Sequence, residues 1–213
     1  MVESPSLQRS VAHFAQLLHS QGFVANHDGN VSVRLPDQKR FLATPTALSK
    51  RLVQSHDLLT VDIEGKLLSG RRRIFSEWHL HAACYKARPD IRAVIHAHPV
   101  VATAFGVARR SFGSFAMPEP VVSLGKEVPL IAYAPPKSSQ QDAEIQHSFA
   151  VIGVAAVLIC ANGVLTVGQD LEQAYLRMEL VEHYAKILMN AHLLSGPVAL
   201  PETDIERLLL ARK

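Results

Sequence analysis

The chain has 213 residues, 48% hydrophobic and 19% charged, with a formal net charge of +3 and an isoelectric point near 9.0. That is enough chain for a sizeable core in one domain, 1–213, and no internal repeat, low-complexity tract or linker divides it. The positive charge is scattered apart from Arg71-Arg72-Arg73, which suits a small acidic ligand better than nucleic acid. Cys84 and Cys160 stand far apart, outside any Cys-x-x-Cys arrangement; this excludes a disulfide framework and a zinc knuckle and points to a reducing, cytoplasmic setting. The N-terminal residues 1–6 lack the basic start and apolar core of a signal peptide. The longest apolar run, 149–161, falls short of the roughly 20 residues that span a bilayer, so no membrane partner is expected.

In chain order, the first predicted element is an amphipathic helix over 7–21, with apolar residues at Leu7, Val11, Phe14, Ala15 and Leu18 and with Gly22 to close it. A polar loop ending in Asp28-Gly29-Asn30 leads into an alternating strand over 31–35. A second strand over 41–44, a small-residue loop over 45–48, and strands over 58–63 and 66–68 complete an antiparallel meander. Ser76 is placed as the N-cap of a helix over 77–87, with Glu77 in its first turn, Trp78, Ala82 and Tyr85 as its apolar stripe, and Arg88-Pro89-Asp90 at its end. A strand over 93–97 and a short helix over 100–108 follow. The stretch 109–136, rich in Pro, Gly and Ser, yields one strand, 128–133. Next come a helix over 140–151, a strand over 155–160, a tight turn at 161–163 and a strand over 164–168. A long helix runs from its Asp170 cap to about 194, and a last helix covers 203–211. The expected fold class is α/β, a mostly antiparallel central sheet covered by helices.

The most informative stretch is Ala93-Val94-Ile95-His96-Ala97-His98-Pro99, a β-branched apolar run that stops at a proline. Alternate side chains of a strand share a face, so His96 and His98 point the same way, roughly 6–7 Å apart along the strand. They can share one metal there. An isolated His-x-His is equally compatible with two structural histidines, and the pair alone leaves both readings open.

Other segments narrow the choice. Asp28-Gly29-Asn30-Val31-Ser32-Val33-Arg34, then Thr44-Pro45-Thr46, then Ser76-Glu77-Trp78 with His81, then the His-x-His strand, then Asn162-Gly163 before the long helix, resemble in this order the class II aldolase/adducin family. The likeness runs from about residue 7 to 192 and is greatest to the fuculose-phosphate aldolase-like branch. It implies the class II aldolase sandwich, a homotetramer with the site at a subunit interface, and a divalent metal, usually zinc. The ligands it implies are His96, His98 and a third, distant position, with Glu77 on or near the metal. It further implies a lyase of the aldolase, dehydratase or decarboxylase type, acting on a small hydroxy-carbonyl sugar phosphate through a metal-stabilised enediolate, with Glu77 moving the proton. Partial desolvation is expected to raise the Glu77 pKa toward the working range. Asn30, Thr46 and Ser76 match the residues that hold the substrate phosphate, and Arg71-Arg72-Arg73 is a candidate to assist them.

The chain departs from the family pattern at several points. Asn162 stands where the third metal-binding histidine belongs, and an amide oxygen is a weaker, neutral ligand. His147 and His183 are the candidate replacements. Phe75 replaces the second serine, and Ala47 replaces the glycine after the loop threonine. No tyrosine occurs over 115–119, where the family places a proton donor from a neighbouring subunit; Tyr133 and Glu119 are the candidates left. His81 is expected to pack and His79 to lie on the surface. The alternative function is therefore an adducin-like interaction or ligand-binding domain, catalytically impaired by loss of the third ligand.

Overall fold

The computed structural model describes residues 4–211. Residues 1–3, part of the segment read for a targeting signal, and 212–213 lie outside the described residues. In chain order the helices are α1 (Pro5–Ser20), α2 (Trp78–Ala87), α3 (Val100–Val107), α4 (Pro118–Leu124), α5 (Ser139–Ala150), α6 (Leu171–Leu193) and α7 (Glu202–Leu210). The strands are β1 (Asn30–Arg34), β2 (Phe41–Ala43), β3 (Leu59–Val61), β4 (Leu67–Ser69), β5 (Ala93–Ala97), β6 (Leu130–Ile131), β7 (Ala156–Ile159) and β8 (Gly163–Gly168). They form one sheet in the order β4-β3-β2-β1-β5-β8-β7-β6, antiparallel throughout except for the β6–β7 pair. The expected α/β fold with a mostly antiparallel sheet is the one observed.

The strand alternation of β5 sorts its residues between two cores. Ala93, Ile95 and Ala97 pack into the layer built with α1, α3 and α6, while Val94 packs into the layer built with α2 and α5. His96 follows Val94 to that second face. Both layers cover β5 completely, and every one of its residues is buried. A near-continuous apolar strand is what two covered faces require.

Four local readings need correction. Helix α2 starts at Trp78 with Glu77 in the N-cap position, and Ser76 is exposed and caps nothing. The stretch 109–136, read as one strand without a helix, contains α4, which Pro118 and Pro120 open. Both sit in the first turn, where no intrahelical N–H is needed. The strand expected over 128–133 is only Leu130–Ile131, because β6 is an edge that pairs on one side. Two 3-10 turns, Lys50–Leu52 and Ser55–Asp57, fill the loop after β2. Gly22 closes α1 as expected, in the left-handed conformation with its N–H on the His19 carbonyl. Among the described residues no helix is long and apolar enough to cross a membrane.

Candidate metal and proton-transfer site

The site lies at the C-terminal end of β5, in the middle of the sheet. Strand β1 pairs with β5 so that Asn30 lies opposite His96, and β8 pairs with it so that Val164 lies opposite Ala97. This register brings the 23–30 loop and the 161–163 turn to opposite sides of the histidine pair. Two glycines permit the approach. A Cβ on Gly29, at φ +68°, would meet Val24 Cγ1 at 2.4 Å and the His96 carbonyl oxygen at 3.0 Å. A Cβ on Gly163, at φ +115°, would meet both the Ala97 carbonyl oxygen and the His98 ring at 2.5 Å. Beyond His98, the buried Glu182 carboxylate of α6 accepts the Val101 and Ala102 N–H groups, anchoring the N-terminus of α3.

The chemistry follows from the hydrogen bonds. His96 Nδ1 lies 3.0 Å from the Val164 carbonyl oxygen, which can only accept, so His96 carries a proton on Nδ1. His98 Nδ1 faces Asp28 at 3.7 Å, beyond hydrogen-bond distance. The two Nε2 atoms are 3.2 Å apart, and Glu77 Oε1 is 3.4 Å from His96 Nε2. Glu77 also accepts from Asn30 Nδ2 on Oε2 and from Asn162 Nδ2 on Oε1, each at 3.1 Å. Burial pushes its carboxyl up, but the His96 imidazole and these two amide donors outweigh burial and hold it below the usual carboxylate range. The expectation that desolvation would raise Glu77 is thus overturned. Burial, with His96 alongside, lowers His98, so its imidazole favours the neutral form.

The residues named from sequence divide into two groups. His96, His98, Glu77, Asn162 and Asn30 come together. Thr46 and Ser76 form no hydrogen bond to that cluster among the described residues: the Thr46 N–H bonds the Arg73 carbonyl, and Ser76 is exposed beside a cavity of about 260 Å³ lined also by Glu77, His79, Tyr133, Lys137 and Asn162. The Asn30 amide is engaged at both ends, by Glu77 and by His81. Arg72 of the arginine run is paired with Asp57 at 2.9 Å. His147 and His183 are exposed on α5 and α6, and Glu119 is exposed on α4 with Ser123 as its partner. His79 is half-buried, not superficial, with Nδ1 2.6 Å from Asp142. His81 is buried and bonded through both ring nitrogens. Sequence reasoning missed Lys50, which is 1% exposed and bonds the His27 and Leu48 carbonyls, tying the two loops beside the site. Burial pushes its pKa down to about 8. No local pattern marks a lysine for burial.

Among the described residues no group of three His, Cys, Asp or Glu side chains converges as a complete metal cage. The pair nevertheless fits a divalent metal in part. The edge of a zinc-nitrogen tetrahedron is about 3.3 Å. The 3.2 and 3.4 Å separations match that edge. Glu77 supplies a third donor, and Asn162 occupies the remaining flank.

The fold is thus an α/β sandwich with paired imidazoles at the end of its central strand and a carboxylate delivered beside them from a helix cap. Residues 9–189 match the Class II Aldolase and Adducin N-terminal domain, and the chain belongs to that family, whose members are generally metal-dependent. The L-fuculose phosphate aldolase of Methanococcus maripaludis is 27% identical over 177 residues, 82% of this chain and 93% of that one. The 3-oxo-tetronate 4-phosphate decarboxylase of Haemophilus influenzae is 32% identical over 176 residues, 81% of each chain. A solved L-fuculose 1-phosphate aldolase superposes with a TM-score of 0.87 at 27% identity, covering 98% of this chain and 96% of that one.

Proposed function

We propose that the chain is a metal-dependent lyase that breaks a carbon–carbon or carbon–oxygen bond next to the carbonyl of a small, phosphorylated hydroxy-carbonyl compound. The observation that carries this reading is the spacing about His96 Nε2, which lies 3.2 Å from His98 Nε2 and 3.4 Å from Glu77 Oε1, close to a tetrahedral edge. The named relatives, one an aldolase and one a decarboxylase of sugar phosphates, support the substrate class. His96, His98 and Glu77, with Asn162 beside them, hold the metal, zinc being the expected ion. When bound there, it supplies Lewis-acid polarisation of adjacent oxygen atoms.

Glu77 does the proton work. Held ionised by Asn30 and Asn162, it is ready to accept a proton from a substrate hydroxyl or α-carbon and to return it later. The 260 Å³ cavity receives the carbon chain against Leu80 and Pro136, with Ser76 and Lys137 on its polar wall for an anionic group. The same reading takes 1–213 as one cytoplasmic domain that assembles as a homotetramer.

The test is elemental analysis of the untagged protein purified without added metal, beside Asn162→His, followed by turnover on a panel of sugar phosphates. The expected result is one divalent metal per chain in the native protein and retro-aldol, decarboxylation or dehydration activity that chelators abolish. A native protein free of metal beside a filled Asn162→His variant overturns it in favour of the adducin-like binding domain.

A further inference from the structure

Glu77, His81 and Tyr85 recur every four residues along the N-terminal cap and body of α2, and Asn30 and Ser32 recur every two along β1. Four helical residues rise about 6.0 Å and two strand residues about 6.7 Å, so the two rows run nearly in step. The contacts zigzag between them. Tyr85 Oη is 2.8 Å from Ser32 Oγ, which is 2.7 Å from His81 Nδ1. His81 Nε2 is 2.6 Å from Asn30 Oδ1, and Asn30 Nδ2 is 3.1 Å from Glu77 Oε2.

We infer that Tyr85, Ser32 and His81 are positioning residues, a one-way hydrogen-bond chain that decides which end of the Asn30 amide faces Glu77. Donor bookkeeping leaves one direction. Asn30 Nδ2 donates to Glu77 Oε2, so the other end of the amide is its carbonyl oxygen, which only accepts and must receive a proton from His81 Nε2. His81 is fully buried, and burial drives its pKa well below the ordinary histidine value, so the ring is neutral and its Nδ1 is bare. Nδ1 therefore accepts from the Ser32 hydroxyl, whose oxygen accepts from Tyr85. Burial raises the Tyr85 pKa, so that hydroxyl keeps its proton and remains the fixed start of the chain. With the His81 tautomer set, a flipped Asn30 would aim an oxygen at a carboxylate and an NH2 group at an N–H. The chain thus holds Glu77 in one orientation toward His96 and uses Asn30 for this purpose in place of phosphate binding.

The functional half rests on the proposed role of Glu77, and the experiment separates the two. Long-range 15N–1H correlation spectra of the native protein, labelled at histidine, are expected to show His81 as a neutral ring with its proton on Nε2 at pH 7. A proton on Nδ1, or a doubly protonated ring, overturns the inference without reference to activity. Ser32→Ala is expected to shift the His81 proton toward Nδ1 and to lower kcat about tenfold at unchanged KM, the size of one lost orienting hydrogen bond. Ser32→Thr, which keeps the hydroxyl, is expected to restore both. A Ser32→Ala protein with unaltered His81 tautomer and kcat refutes the chain. Absence of turnover by the native protein on every sugar phosphate sinks the lyase reading alone, and the spectra still decide the inference.

Discussion

Replacing Gly163 by alanine tests how the turn after β7 meets the metal-binding pair. The backbone there has φ +115°, and the new methyl would lie 2.5 Å from both the Ala97 carbonyl oxygen and the His98 ring. An L-residue in that conformation costs about 1–3 kcal/mol, and forcing a methyl into filled space about the same again. The sum is near 4 kcal/mol, which lowers Tm by about 8–16 °C for a chain of this size. Gly113→Ala provides the internal control: it also has positive φ, +70°, but nothing lies within 4 Å of its Cβ. That variant should lose only the backbone part, about 1–2 kcal/mol and a few degrees. Thermal unfolding of the three proteins side by side, with metal content measured on each, makes the comparison. Gly163→Ala should melt lowest and bind metal least, because relieving the clash moves His98. If Gly163→Ala melts no lower than Gly113→Ala, the close packing of the turn on His98 is refuted.

Ala47 sits at φ +55°, an exposed left-handed position where the family pattern has glycine. Ala47→Gly should gain about 0.5–1 kcal/mol, read as a higher urea midpoint at unchanged slope; a lower midpoint would show the strain is not there. The third prediction concerns Glu77. Its folded pKa is lowered, so its stabilising contribution is fully present above the ordinary glutamate value of about 4.3 and is lost as pH falls through the folded value. The unfolding free-energy difference between the wild type and Glu77→Gln should therefore be constant from pH 7 to about 5 and shrink below about 4.3. A difference that grows with acid would show that burial, not the amide donors, governs this carboxyl.

Much of the architecture was legible because it depends on period. The β5 alternation put His96 and His98 on the same side, and the spacing along α2 put Trp78, Ala82 and Tyr85 in the core, where they are found. Where the sequence reading failed, a local signal had two meanings. The Pro-rich stretch 109–136 yielded one strand and no helix, yet Pro118 and Pro120 open α4, since proline is harmless in a first turn. Ser76 read as a cap beside a glutamate that took the N-cap position itself. His81 read as packing because a polar residue on a buried face shows nothing of its partners, which here come from a strand about fifty residues away. Lys50 was invisible for the same reason.

By itself the sequence determined the alternating layers, the pair of histidines on one strand face and the family, since these follow from periodicity and from short motifs in order. Only the tertiary structure decided what those groups can do. The β1–β5 register set Asn30 against His96, and the turn at Gly163 brought Asn162 to Glu77 across 85 positions of chain. That convergence reverses the expected direction of the Glu77 pKa. The physical reason is that a pKa depends on how many donors reach a carboxylate as well as on its burial, and donors from distant segments meet only when the sheet closes.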